Sequence, residues 1–350
     1  MKTDPREEGV LEGTDIKRIA VIGAGSWGTA LANLLAEKGL EVDLWVREEE
    51  VFRQIRDERR NEVFLPGFRV SHGLRPVNSF EEALQDKQLA LLAIPSHVFR
   101  TVLVSLKPFL RPDIPVMIAT KGIENDTLLV MSQVAGEVLD EKYQETFACL
   151  SGPSFAREVA RQYPTAVTVA CRHPGHAKKL QELFSTDFFR VYAGDDLIGT
   201  QLGGALKNVI AIAAGASDGL KFGENARAAL ITRGLAEITR LGVAMGSNPH
   251  TFAGLAGLGD LVLTCTGDQS RNRSVGLKVA VGTALNEITQ SMRMVAEGVK
   301  TARSAYELSV KMGVAMPITR EVYRILYEGR DPRDAVRELM LRDLKAEREF

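Results

Sequence analysis

The stretch Lys17–Glu48, "KRIAVIGAGSWGTALANLLAEKGLEVDLWVRE", decides the fold. Ile19 to Ile22 form a short aliphatic run that reads as a strand. Gly23, Gly25 and Gly28 follow as G-x-G-x-x-G, Thr29 to Lys38 carry apolar residues at helical spacing, Gly39 is placed to cap that helix, and Val42 to Val46 read as a second strand. The order strand, glycine turn, helix, strand is the setting in which this motif holds a dinucleotide. Gly23 permits the tight turn, Gly25 lets backbone approach a pyrophosphate, and Gly28 lets the helix lie close to the strand. The helix start adds unpaired N–H groups and the positive end of a dipole.

Further strand-like runs lie downstream: Leu89–Ser96 "LALLAIPS", Pro115–Gly122 "PVMIATKG", Phe147–Ser154 "FACLSGPS" and Thr165–Cys171 "TAVTVAC". The first three end in small, turn or polar residues, where ligand-binding loops sit in an open α/β sheet. Lys121 follows one such strand directly, which places it at a binding crevice. The second strand of the opening motif ends in Trp45-Val46-Arg47, with Glu48 after it. An acidic residue there would suit the ribose hydroxyl of NAD, whereas Arg47 suits the 2′-phosphate of NADP or tolerance of both. A solvated arginine at a strand end is the competing reading.

From about Leu197 onward the pattern changes to helices rich in Ala, Leu and Gly: Gly199–Gly215, Asn225–Leu241, Arg293–Met312 and the charged tail from Asp331. The shift near "YAGDDLIG" divides the chain into an α/β dinucleotide-binding domain of Rossmann type over residues 15–196 and an all-α domain over 197–350. The stretch "TFAGLAGLGDLVLTCTGDQSRNRSVG" breaks the helical pattern and gathers Asp260, Thr264, Ser270, Arg271, Asn272 and Arg273 around a turn. Arg271 is suited to gripping a phosphate bidentately, with Ser270 and Asn272 adding hydrogen bonds.

Lys207 stands beside Asn208 in "GGALKNVIAIAAG", Gly203–Gly215, a run otherwise made of small and aliphatic residues. A buried ammonium is costly unless it is paired or its pKa falls. Either this lysine snorkels to water or it sits in a pocket that needs it. Asp260, flanked by aliphatics, is the natural partner, and Gly203, Gly204 and Ala205 leave room for a substrate.

With 44 basic against 45 acidic residues, the net charge of −1 gives no bulk field for nucleic acid or a membrane surface. Cys149, Cys171 and Cys265 form no CxxC pair, which fits a reducing cytosol. The charged start "MKTDPREEGVLEGTD" has no apolar core for a signal peptide, and the first apolar run is broken by glycines well short of a membrane span. A cytoplasmic protein is expected. No cluster has metal-ligand spacing and no G-x-S-x-G elbow occurs. His173 and His176 read as an exposed turn, and His97 as a packed or capping residue beside the crevice. The final "LRDLKAEREF" reads as a solvated helix end.

Taken in order, "GAGSWGTALA", "ATKGIE", "SGPSFA", "LGGALKNVIAIAAG", "NARAALITRGLAEI", "GLGDLVLTCTGDQSRNRSVG", "MVAEGVKTA" and "MPIT" resemble the bacterial NAD(P)-dependent glycerol-3-phosphate dehydrogenases. The resemblance runs from about Lys17 to about Tyr327. It implies reversible NAD(P)H-dependent reduction of dihydroxyacetone phosphate, supplying glycerophospholipid synthesis. The implied partner is a small phosphorylated substrate, and the implied assembly is a homodimer. Lys207 matches the catalytic lysine, with Asn208, Asp260 and Thr264 lining its pocket. Lys121, Gly152 and Ser154 match substrate-side loops, and Ser270, Arg271 and Asn272 match the phosphate clamp. Gly23, Gly25, Ser26, Trp27, Gly28, Arg47, Lys121, Ala156, Arg271, Val295 and Glu297 match cofactor contacts.

Two rivals remain at this level. A dehydrogenase of hydroxy or sugar acids would aim an arginine at a carboxylate, which the "SRNR" turn does not exclude. A non-catalytic NAD(P) sensor would need the glycine loop alone, so Lys121, Lys207, Asp260 and Arg271 together count against it.

Overall fold

The computed structural model describes residues 15–112, 114–292, 296–344 and 346–347, the side chain of Lys142 apart. The described chain divides into two compact units. One runs to Thr120 and resumes over Met131–Leu197; the other comprises Lys121–Val130 and the chain from Ile198 onward.

In the first unit the strands are β1 (Arg18–Ile22), β2 (Glu41–Trp45), β3 (Arg60–Asn61), β4 (Leu65–Arg69), β5 (Leu74–Val77), β6 (Leu89–Leu92), β7 (Val116–Ile118), β8 (Phe147–Ser151), β9 (Thr165–Cys171) and β10 (Phe189–Gly194). Eight of them form one sheet in the order β10-β9-β8-β7-β6-β1-β2-β5. From β5 to β8 neighbours run parallel; β9 turns antiparallel to β8, and β10 is parallel to β9. The chain leaves β1 toward β2 on one side and reaches β6 on the other. The ends of β1 and β6 therefore flank the point where strand order reverses, the usual place for a ligand in such a sheet. All-aliphatic strands such as Ile19–Ile22 and Leu89–Leu92 are buried throughout, as a sheet covered on both faces requires.

β3, β4, β5 and β10 are absent from the strands expected from the sequence. β5 is four residues with a proline, and β10 alternates buried and exposed residues at the sheet edge. Pro174–Phe184 is a helix begun by Pro174, so His173 and His176 do not form an exposed turn. His176 is buried, and its ring packs 4.5 Å from that of His173. His97 is an exposed residue of a short 3-10 turn after β6.

Among the described residues the second unit is helical, apart from a single bridge between Ile123 and Val130. Its central helix, Leu197–Gly219, is 23 residues long and apolar enough to cross a bilayer by length and composition. Within the protein, however, 89% of its apolar window is buried, which makes it a core element. Two glycines of this helix serve backbone contact. A Cβ at Gly203 would meet the Ala256 carbonyl oxygen at 2.4 Å, and one at Gly215 the Arg273 carbonyl oxygen at 2.0 Å. The expectation that small residues here leave space for substrate is thus corrected at Gly203, whose missing side chain is filled by a neighbouring helix.

The stretch expected to break the helical pattern is itself mostly helical: Pro249–Ala253, a π-turn over Leu255–Gly259, Asp260–Thr266 and Arg271–Ala280. Only residues 267–270 form the turn. The C-terminal helix is Pro332–Met340, and residues 341–344 and 346–347 of "LRDLKAEREF" lie beyond its end rather than within it.

One buried carboxylate holds a helix start. Glu237 accepts from Ile318 N at 2.6 Å, Thr319 N at 3.1 Å and Thr319 Oγ1 at 3.0 Å, at the start of helix Pro317–Tyr327. Burial raises its pKa to about 7 against the pull of those donors. Glu237→Ala would strand three donors, so a loss of roughly 3 kcal/mol in urea-unfolding stability is expected, with an unchanged midpoint ruling the cap out.

Candidate active site

In the first unit the glycine loop is shaped for a group that packs on backbone. Gly23 has φ +113, and a Cβ at Gly28 would lie 1.9 Å from the Gly23 carbonyl oxygen, so helix Ser26–Glu37 starts hard against the end of β1. Gly25 faces the other way, with nothing within 4 Å of its ideal Cβ. No side chain caps the helix start, and Thr29 N already bonds Gly25 O at 2.9 Å. The amides of Ser26, Trp27 and Gly28 therefore begin a helix that has no side-chain acceptor of its own. The buried indole N–H of Trp27 also has no protein partner. Open backbone, an uncapped helix start and an orphaned donor fit a dinucleotide pyrophosphate.

Asn61, which the sequence reading missed, props this loop. Its Nδ2 donates to Ala24 O at 2.9 Å and to Thr29 Oγ1 at 2.8 Å, and it is nearly fully buried. Arg47 follows β2, mostly solvent-exposed, and pairs with Glu48 at 2.6 Å. An exposed guanidinium held only by its neighbour is free to exchange that carboxylate for a phosphate. Gly152, Ser154 and Ala156 follow β8: Gly152 has φ +146, Ser154 Oγ donates to its carbonyl at 2.9 Å, and Ala156 opens a short helix.

In the second unit the sequence-predicted polar residues converge. Lys207 donates to Asp260 Oδ1 through a short hydrogen bond and to Thr264 Oγ1 at 2.9 Å. Lys121 donates to the other oxygen, Asp260 Oδ2, at 2.7 Å. Asp260 and Thr264 are one helical turn apart on Asp260–Thr266, so both face Lys207, and Thr264 Oγ1 also donates to Asp260 O at 2.6 Å. The side chains of Lys207 and Asp260 are 9% and 1% exposed, that of Lys121 18%. The question left open by the sequence is answered: Lys207 does not snorkel to water. Lys121 and Asp260 were each singled out by the sequence, but not as partners of one another.

Burial is the main force on Lys207, lowering its pKa to about 7; Asp260 pulls it up and Lys121 pushes it further down. An amine so placed holds or releases a proton near neutral pH. The Cys265 thiol nearby is pushed up to about 12 by burial and stays protonated.

Asn208 and Asn272 form a second pair: Asn272 Nδ2 donates to Asn208 Oδ1 at 2.8 Å, and Gly298 N donates to Asn272 Oδ1 at 2.9 Å. Ser270 caps helix Arg271–Ala280 by accepting from Arg273 N at 3.2 Å. Arg271 keeps exposed surface while desolvation lowers its pKa, opposed by Glu297. Val295 lies outside the described residues.

The family model for the NAD-dependent glycerol-3-phosphate dehydrogenase N-terminus matches residues 18–177, and that for its C-terminus matches residues 196–337. Glycerol-3-phosphate dehydrogenase NAD(P)+ of Syntrophobacter fumaroxidans is 57% identical over 332 residues, 95% of this chain and 98% of that one. The protein of the same name from Geobacter sulfurreducens is 58% identical over 332 residues, 95% of this chain and 99% of that one. Among solved structures, glycerol-3-phosphate dehydrogenase of Coxiella burnetii aligns with a TM-score of 0.89 at 41% identity, over 93% of this chain and 99% of that one. The chain belongs to the NAD-dependent glycerol-3-phosphate dehydrogenase family.

Proposed function

We propose that this protein reduces dihydroxyacetone phosphate to sn-glycerol 3-phosphate with NADH or NADPH, and runs the reverse reaction. The observation that carries the reading is a buried lysine, paired to one carboxylate and one hydroxyl, whose proton is exchangeable near pH 7. The bound dinucleotide supplies the hydride for reduction and accepts it for oxidation. Gly23, Gly25, Ser26, Trp27 and Gly28 are assigned to its pyrophosphate, and Arg47, Ala156 and Glu297 are further residues proposed for the cofactor.

As the carbonyl becomes an alcohol, negative charge grows on its oxygen. The Lys207 ammonium stabilises that charge and donates the proton; in the reverse direction the neutral amine removes it. Asp260 fixes the direction of the amine, and Thr264 fixes its second hydrogen bond. Lys121 offsets the remaining charge on Asp260 and meets substrate. Gly152 and Ser154 of the first unit and Ser270, Arg271 and Asn272 of the second are the further residues proposed for the substrate, Arg271 being proposed for the cofactor as well. A phosphorylated substrate suits Arg271 and the amides of Asn208 and Asn272; a sensor that binds only the dinucleotide has no use for the Lys207–Asp260–Lys121 triad.

The test follows oxidation of NADH and NADPH on addition of dihydroxyacetone phosphate, with unphosphorylated dihydroxyacetone alongside. Robust turnover of the first and little of the second is expected; no turnover of any phosphorylated ketone would overturn the reading. Arg47→Ala is expected to lower kcat/KM for NADPH about tenfold and leave NADH nearly unchanged, the loss of one charge-assisted phosphate contact. A cytoplasmic homodimer supplying glycerophospholipid synthesis completes the proposal. Three buried free cysteines support the reducing compartment, and sedimentation at micromolar protein reads out the assembly.

A further inference from the structure

Two carboxamides sit side by side in the second unit, and an amide has two ends that differ in sign. Asn272 is buried with Oδ1 turned to Gly298 N–H and Nδ2 turned to Asn208 Oδ1. The chain of donors has one direction. Gly298 N–H fixes the Asn272 oxygen, the Asn272 nitrogen fixes the Asn208 oxygen, and the Asn208 nitrogen is left as a donor with only a long 3.4 Å bond to Gly204 O. Each carboxamide nitrogen carries two protons, so after these bonds both residues keep an N–H, while each oxygen already accepts one hydrogen bond. Leftover N–H groups of this kind suit an acceptor such as an anion.

We propose that Gly298 is a positioning residue, whose backbone N–H locks Asn272 and Asn208 with their donors turned to the anionic end of the substrate. The inference rests on the dehydrogenase reading of this site. Gly298 is the second residue of helix Glu297–Lys311, where an amide has no intrahelical acceptor and is free to serve a side chain. No larger residue fits: a Cβ at 298 would lie 2.6 Å from Asn208 O and 2.7 Å from Asn272 Oδ1. The first of these is backbone of the helix carrying Lys207, so it does not swing aside. The missing side chain at 298 and the fixed orientation of the two amides are therefore one feature.

Amide hydrogen exchange tests the lock without reference to substrate. The Gly298 amide of the wild-type protein is expected to be protected despite its first-turn position, and Asn272→Ala to speed its exchange about tenfold or more, the loss of one buried acceptor. Equal exchange in the two proteins overturns the proposal. In kinetics, Gly298→Ala is expected to raise KM for dihydroxyacetone phosphate about tenfold with kcat within about threefold, and to add less than about twofold in an Asn272→Ala background. Additive effects, or a fall in kcat at constant KM, overturn the positioning role. A wild-type protein inactive on dihydroxyacetone phosphate but protected at Gly298 would instead overturn the substrate reading and leave the amide lock standing.

Discussion

Lys207→Met is expected to leave a folded protein that still binds NADH or NADPH but reduces dihydroxyacetone phosphate about a thousandfold more slowly, the loss of a positioned general acid together with its charge. Methionine keeps the unbranched shape of lysine, so the core helix retains its packing. The charge balance also survives. Lys121 remains bonded to Asp260 at 2.7 Å, so the carboxylate is not stranded. Intrinsic-fluorescence titration with NADH checks binding, and stopped-flow reduction checks the chemistry. Turnover within tenfold of wild type, with binding intact, would remove Lys207 from the proton transfer.

The pH profile of the wild-type enzyme tests the same amine. In the proposed mechanism reduction uses the ammonium, so its rate is expected to fall as pH rises through about 7, and oxidation uses the neutral amine, so its rate is expected to rise through the same region. The linked effect on stability has a definite sign. The folded-state value of about 7 lies below the ordinary 10.5, so between those values the folded protein binds fewer protons than the unfolded chain. This lysine therefore contributes stability that is lost as pH falls from about 10.5 to about 7 and changes little below.

Asp260→Asn is expected to do the greater harm to the fold. It leaves two lysines, the inner one 9% exposed, facing each other without a counter-charge. Removing one side of a buried ion pair costs about 3 kcal/mol or more, because the partner stays desolvated and unpaired. Lys207 has a way out: it sheds its proton, its pKa being already lowered by burial. The loss measured by urea unfolding should accordingly shrink between pH 7 and pH 9, while reduction of dihydroxyacetone phosphate at pH 7 drops at least about a hundredfold for want of a protonated acid. Equal stability of Asp260→Asn and wild type at pH 7 would show that the triad carries no net charge strain.

What the sequence made legible was chemistry carried by neighbours in the chain. The glycine loop announces itself because its three glycines, the strand before and the helix after fall within one short stretch, and Lys207 because a charge among aliphatics is conspicuous. Residues whose role depends on distant partners were not legible. Asn61 sits among charged residues in "RRNEVFLPG", and only the return of β3 beneath the glycine loop gives its amide a task. Gly298 looks like any helix-start glycine until Asn208 and Asn272 are brought against it. The run from Thr251 to Gly276 reads as an interruption of the helical pattern, yet short helices and a π-turn accommodate its Gly254, Gly257 and Gly259. The small residues beside Lys207 were read as substrate space, when Gly203 instead admits a carbonyl of the next helix. Periodicity reports a helix but not what lies against it.

The ten-residue excursion from Lys121 to Val130, closed on itself by the Ile123–Val130 bridge and tied to Ser304 Oγ through the Ile123 carbonyl at 3.3 Å, has a topological consequence. The helical unit is not a contiguous gene segment: one of its pieces is translated well before the rest, embedded between two stretches of the sheet. A fragment beginning at Ile198 would be born without the ammonium that faces Asp260 Oδ2, and a fragment ending at Leu197 would carry an unclaimed loop. Grafting the catalytic half onto another nucleotide-binding module thus calls for two splice points around that loop as well as the one at its C-terminal border.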